Sequence, residues 1–499
     1  MPTYAKRVID SIENPRIPLL YPILLFLSSM TLRNFLEFFS DKAQLPFQIF
    51  SASEPAFYSV WFSFAISLIH YYIFWIALSL AITIILNALT GEKIINILKT
   101  VLSGFFIIII TPAFDLLTTF GAGRHIDYVI PGRFMDLVAI FGYLTPGMIL
   151  TSTCGLCGIF IYIKTKTKNI AKGIFGCILL YLLLVFLAVL PTVLHTNHPM
   201  PIIRALALAI VAEMFFLYYR SNPIQGNALA KDIRIPRLIY YESLIILGIA
   251  LSRQGIFNSI LNNFDSFLLL TVGGGLAWIA SVIFNNIEDL KIDRISNANR
   301  PLIEGKISND QYLHIGLVLI ILAAMLTLSL NFQTFFLTML LIGNSLLYSL
   351  PPLRLKRVTV LSKLATSLNS LIAVMLGYIF AGGELLDFPE GLTWYFLIFV
   401  TLMANFIDLK DYAGDFSAGI RTLPVQLGMK RSKLIIGLAH LVGYPALAFV
   451  LVDLRIFLPA CVFGLLQFLW CIRKNYNEKF VLITHLAAII SLIVYIGRR

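Results

Sequence analysis

The sequence predicts an all-α integral membrane protein, with a bundle of about nine spanning helices preceded by a further membrane module of about six. Three observations carry this. Of 499 residues, 59% are hydrophobic and only 13% charged, with a mean hydropathy of +0.86, a composition outside the range of soluble domains. Apolar runs of spanning or near-spanning length recur along the whole chain. Lys and Arg fall in the short segments between those runs, so the net charge of +12 reads as a membrane-orientation signal and does not imply a nucleic-acid partner.

In chain order, residues 1–16 are polar, with Lys6, Arg7 and Arg16. Apolar runs follow at about 17–32, 62–89, 98–120, 134–163, 172–195 and 202–219. The first, which lacks a small-residue cleavage site, reads as a retained anchor. Pro112 is expected to kink its span. Asp115, Arg124, His125, Asp127 and Asp136 read as solvated loop and interface residues, and His70 as a packed core residue. Cys154 and Cys157 lie in a run of small residues, which favours helix packing over metal or redox chemistry. No function follows for this module, residues 1–220.

Residues 221–236 break the pattern with Asn222, Pro223, Gly226, Lys231, Asp232, Arg234 and Pro236, and read as a linker. Beyond it, residues 237–499 hold apolar runs at about 237–252, 266–287, 312–330, 333–350, 360–381, 391–407, 433–452, 455–472 and 480–497. If the N-terminus is cytoplasmic, most basic segments fall inside, including 291–306, 354–363 and 410–433. The opposite segments 196–200, 331–333 and 382–390 are nearly free of Lys and Arg.

Two of these runs end in acids. Asn285, Asp289 and Asp293 are spaced i, i+4, i+8, and Asp408, Asp411 and Asp415 are spaced i, i+3, i+7. On a helix each set shares one face. Acids at the same end of two membrane helices are costly unless something pairs with them. Divalent cations would serve, because Mg²⁺ takes one or two carboxylates and completes its octahedron with water and phosphate oxygens. Between the two acid sets lies Tyr348-Ser349-Leu350-Pro351-Pro352-Leu353-Arg354-Leu355-Lys356-Arg357. Its prolines stop the preceding helix, and its bases suit phosphate, Arg as a planar fork and Lys as a point charge. A rival reading, a transporter or membrane scaffold, predicts charges near the bilayer midplane on broken helices rather than at helix ends.

With these motifs in order, N-x-x-x-D-x-x-x-D, R-P-L, Y-S-x-P-P-L-R-L-K-R and D-x-x-D-x-x-x-D followed by G-I-R-T-L-P-V, the region 237–499 resembles the UbiA family of intramembrane prenyltransferases. The resemblance implies a nine-helix bundle that binds polyprenyl diphosphate through Mg²⁺ and transfers the prenyl group to an aromatic or other lipid-soluble acceptor. It implies that Asn285, Asp289, Asp293, Asp408, Asp411 and Asp415 hold the Mg²⁺–diphosphate, and that Arg300, Tyr348, Arg354, Lys356, Arg357 and Lys410 grip it. One departure stands out. Many members carry Asn-Asp where this chain has Asn285-Asn286, so one common acid is absent.

Overall fold

The computed structural model describes residues 2–40, 54–119, 144–195, 199–252, 256–290, 293–294, 300–417 and 419–498. Among these residues the secondary structure is helical, apart from an isolated parallel bridge between Val358 and Arg421. Arg124, His125, Asp127 and Asp136 lie outside the described residues. The chain divides into two compact units, Met1–Pro223 and Ile224–Arg499.

The first unit contains α1 (Pro2–Ile12), α2 (Leu20–Ser40), α3 (Glu54–Thr90), α4 (Ile94–Gly104), α5 (Ile110–Thr119), α6 (Pro146–Thr167), α7 (Ile170–Ala188) and α8 (Pro199–Ser221). A 3₁₀ stretch, Phe105–Ile109, joins α4 to α5. It sits where Pro112 cannot donate to the carbonyl four residues earlier, so the expected kink takes this form. Asp115 is buried rather than solvated, because it caps the neighbouring helix. Its carboxylate accepts from the Thr145 hydroxyl and from the Gly147 amide at 2.8 Å, at the N-terminus of α6. His70 is buried, as a packed residue should be. Cys154 and Cys157 are free thiols, and Cys157 is exposed.

In the second unit, the segment read as a linker folds into α9 (Pro223–Asp232). Then come α10 (Ile235–Leu251), α11 (Phe264–Glu288), α12 (Asn309–Leu328), α13 (Phe332–Ser349) and α14 (Thr359–Phe380). The next span is broken: α15 (Glu390–Tyr395), a π-helical stretch Phe396–Val400, a 3₁₀ turn Ala404–Ile407, and α16 (Asp408–Ser417). The chain ends with α17 (Met429–Val450), α18 (Phe457–Ile472) and α19 (Glu478–Gly497). Thirteen helices among the described residues are long and apolar enough to cross a membrane, against the fifteen or so expected. The shortfall has local causes. Helix α2 carries Arg33, Asn34 and Glu37, and α10 is only 17 residues long.

Helices α10 and α14 meet through reciprocal glycines. A Cβ at Gly248 would lie 1.9 Å from the Val374 carbonyl oxygen, and one at Gly377 would lie 1.8 Å from that of Ile245. Two backbones this close leave no room for a side chain, which is how small residues bring membrane helices together. The start of α14 is fixed from its other neighbour. Asn344 donates to the Ala365 carbonyl at 2.8 Å and to Asn369 at 2.7 Å, while Asn369 donates to Ser345 at 2.9 Å. These buried bonds set the height of α14 against α13, and with it the height of Lys363.

Candidate active site

Helix α11 ends at Glu288, so Asn285 lies in its last turn and Asp289 is its C-cap. The expected single helical stripe therefore stops one residue before Asp289. The Asp289 amide donates to the Asn285 carbonyl at 3.0 Å, and the Asp293 amide donates to that of Asp289 at 2.8 Å, which keeps a turn-like spacing. The acids then part company. Asp289 faces the basic segment, accepting from Lys356 at 2.6 Å and from Arg354 at 3.1 Å. Asn285 accepts from the same Lys356 ammonium at 3.2 Å and from Ser349 at 3.3 Å. Asp293 is buried and pairs with Arg300 instead.

Arg354 is built to reach this place. Its backbone is left-handed, with φ 42°, a conformation that costs a non-glycine residue of order 1 kcal/mol and recurs at functional sites. One Nη donates both to Asp289 and to the Glu288 carbonyl at 2.8 Å, while its Nε is buried without a partner. Burial lowers the pKa of Lys356, and the Asp289 carboxylate opposes that shift. Arg357 is exposed and Tyr348 half-buried.

The second acid set begins α16. Asp408 is buried, and its Oδ1 accepts from Lys363 at 2.5 Å. Its Oδ2 is buried with no partner. Asp411 is exposed and Asp415 half-buried on the same helix. Lys410 points elsewhere and pairs with Glu478 at 3.0 Å. Two residues from Asp408 is a rotation of about 200° on a helix, which turns Lys410 away from Asp408.

One short segment joins the two acid sets. Lys356 holds Asp289 and Lys363 holds Asp408. Between them lie the end of a 3₁₀ turn, the extended Val358 and one turn of α14, at most about 17 Å along the chain. Both acid sets thus lie at one end of the unit, with Arg354, Lys356 and Lys363 paired to them. Lys363 did not stand out in the sequence as part of the site.

The donor chemistry fits hard divalent cations. Carboxylate oxygens are the ligands Mg²⁺ takes, and Asp408 Oδ2 is a buried acceptor with nothing to accept from. Among the described residues, no three His, Cys, Asp or Glu side chains are gathered closely enough to form a metal site by themselves.

A cavity of about 330 Å³ lies in the same unit, lined by Tyr240, Tyr395, Met403, Tyr444 and His485 among mostly apolar neighbours. Met403 lies on the span that ends in α16, five residues before Asp408, or about 8 Å along a helix. Tyr444 and His485 hydrogen-bond to each other, and Gln467 donates to Tyr444 at 3.2 Å.

Fold and site together define a polytopic, all-helical membrane protein that gathers acids and bases at one end of its C-terminal unit. The UbiA prenyltransferase family matches residues 243–481 of this chain. The chain is 28% identical over 159 residues to digeranylgeranylglyceryl phosphate synthase of Sulfurisphaera tokodaii, covering 30% of this chain and 53% of the relative. It is 31% identical over 170 residues to homogentisate phytyltransferase of Synechocystis, covering 30% and 54%. It is also 31% identical over 186 residues to protoheme IX farnesyltransferase of Macrococcus caseolyticus, covering 35% and 58%. The match therefore spans about half the length of these relatives. Among solved structures, a UbiA homolog from Archaeoglobus fulgidus bound to GPP and Mg²⁺ aligns with a TM-score of 0.46 at 18% identity, over 54% of this chain and 98% of that one.

Proposed function

We propose that this chain is an intramembrane prenyltransferase that moves a polyprenyl group from a polyprenyl diphosphate to an aromatic or other lipid-soluble acceptor. The observation that carries the reading is the segment from Arg354 to Lys363, whose bases hold both acid sets at one end of the bundle. When bound, Mg²⁺ would supply charge neutralisation to the departing diphosphate, held by Asp289, Asp408, Asp411 and Asp415. The chain's own bases do the rest at that end. Arg354 and Lys356 would donate to phosphate oxygens, with the free Nε of Arg354 completing a two-point fork.

In the transfer, the bond between the prenyl C1 and the bridging oxygen breaks, and its electron pair leaves with the diphosphate. A new bond forms from the acceptor to C1, and the acceptor gives up a proton. The mostly apolar lining of the cavity suits the prenyl chain, and a lining of that kind would shield an allylic cation from capture by solvent. The relatives' names refer to a glyceryl phosphate, homogentisate and protoheme, and the acceptor here is taken to be a membrane-associated nucleophile of such a kind. The concentration of Lys and Arg in alternate segments supports placing the acid end at the cytoplasmic face.

Protein reconstituted in lipid nanodiscs should release diphosphate from a polyprenyl diphosphate only with Mg²⁺ or Mn²⁺ present. Undiminished release in excess chelator would remove the metal from this reading. Residues 221–499, expressed alone, should insert and bind prenyl diphosphate, since the second compact unit begins at Ile224. Aggregation of that fragment in detergent would mean that the units depend on each other.

A further inference from the structure

Asn286, the residue standing where many family members carry an acid, is 2% exposed and sits among four charged groups from three separate stretches of chain. Its Oδ1 accepts from Arg300 at 2.6 Å and from Arg234 at 3.0 Å. Its Nδ2 donates to the Asp232 carboxylate at 2.6 Å and lies 3.4 Å from the Tyr312 hydroxyl, which also donates to Asp232. Arg300 pairs in addition with Asp293. A carboxamide can accept from cations on one side and donate to an anion on the other, and here it does both.

Among the described residues, charges of both signs meet at this point, with Arg237 also close enough to act on Arg234. Two guanidiniums, Arg234 and Arg300, face two carboxylates, Asp232 and Asp293, around one neutral Asn286. Asp232 and Arg234 end α9 and open α10, ahead of residue 243 where the family match starts. Helix α9 is tied down a second time where Gln225 donates to Gln311 at 3.1 Å, at the start of α12. The guanidinium pair repels: burial first, then Arg237 and Arg300, push the Arg234 pKa down to about 10, and Asp232 and Asp293 oppose the shift.

We propose that Asp232 and Arg234 are positioning residues of the active site, with Asp232 supplying from another helix the carboxylate that position 286 lacks, so that Arg300 is held in place for the diphosphate. This rests on the prenyltransferase reading. Because the charge count is what matters, exchanging the two residues should preserve it, whereas changing either alone should not. Asn286→Asp would set two carboxylates against each other where a hydrogen bond of 2.6 Å now stands. Asp232→Asn would leave two guanidiniums to one carboxylate.

The test is a cycle in full-length protein in nanodiscs: Asp232→Asn, Asn286→Asp and both together, with prenyl diphosphate affinity, KM, kcat and thermal stability measured for each. Each single change should weaken affinity and raise KM by about tenfold, the scale of one lost charge-assisted contact. The double change should return to within about threefold of the parent. A double variant no better than the worse single one overturns the exchange. Single variants that melt earlier but keep parental affinity and KM reduce the network to a strut and also overturn the proposal. If the parent binds prenyl diphosphate without transferring the chain, the prenyltransferase reading fails while the affinity cycle still decides the positioning role. If the parent does not bind it at all, both fall.

Discussion

Asp408→Asn is expected to lower turnover to about one-hundredth of the parent or less, the scale of losing a group that stabilises developing charge in the transition state. Asp408 has one oxygen on Lys363 and the other buried without a partner. The substitution removes the charge that would hold a cation, and it also strands the Lys363 ammonium, which is 6% exposed. Breaking one side of a buried ion pair costs about 3–5 kcal/mol, so lost activity alone would not separate chemistry from folding. Lys363→Met added to Asp408→Asn does separate them. It takes away the stranded charge, and replacing a whole buried pair by neutral groups is often close to neutral for stability. Thermal unfolding in detergent should therefore recover in the double variant while diphosphate release stays near one-hundredth. Turnover that returns with stability would make Asp408 a structural residue.

The acid sets and the basic segment were legible in the sequence because charge at the end of an apolar run is expensive and therefore conspicuous. Lys363 was not legible. A lysine in the first turn of a membrane helix has an ordinary explanation as an orientation signal, and only the fold shows Asp408 opposite it. Asp232 and Arg234 were hidden for a different reason. They fall in a polar stretch with turn-forming residues that reads as a linker, and their partners Asn286 and Tyr312 lie 54 and 80 residues from Asp232. No periodicity links positions so far apart. Asp293 keeps the i, i−4 amide bond to Asp289 but is buried against Arg300, a partner that the spacing of the acids alone does not reveal. Lys410 is a different case. The resemblance implied a role for it at the diphosphate, whereas in the structure it pairs with Glu478. Asp115 was misread because a carboxylate near the outer end of an apolar run looks solvated, and its capping of α6 depends on Thr145, 30 residues downstream.

Arg354→Lys is expected to weaken prenyl diphosphate binding by about tenfold to a hundredfold, while Arg357→Lys leaves it nearly unchanged. The orientation signal counts charge and does not distinguish the two residue types, so neither change should alter topology. Both variants keep the backbone cost at position 354, since Lys has no more ease than Arg at φ 42°. What differs is the planar fork. One Nη of Arg354 is already engaged by Asp289 and the Glu288 carbonyl, and the buried Nε has no partner. A guanidinium can keep the first contacts and still donate to a phosphate oxygen, whereas a lysine ammonium is a single point that must choose. A lost charge-assisted contact of this kind costs about 1.5–3 kcal/mol. Arg357 is exposed, and an exposed cation is screened by solvent and salt. Prenyl diphosphate affinity would be measured for each variant, with accessibility labelling of an introduced cysteine to confirm unchanged topology. Parental affinity in Arg354→Lys would show that its side chain serves only the end of α11, and the diphosphate would then rest on Lys356 and the acids.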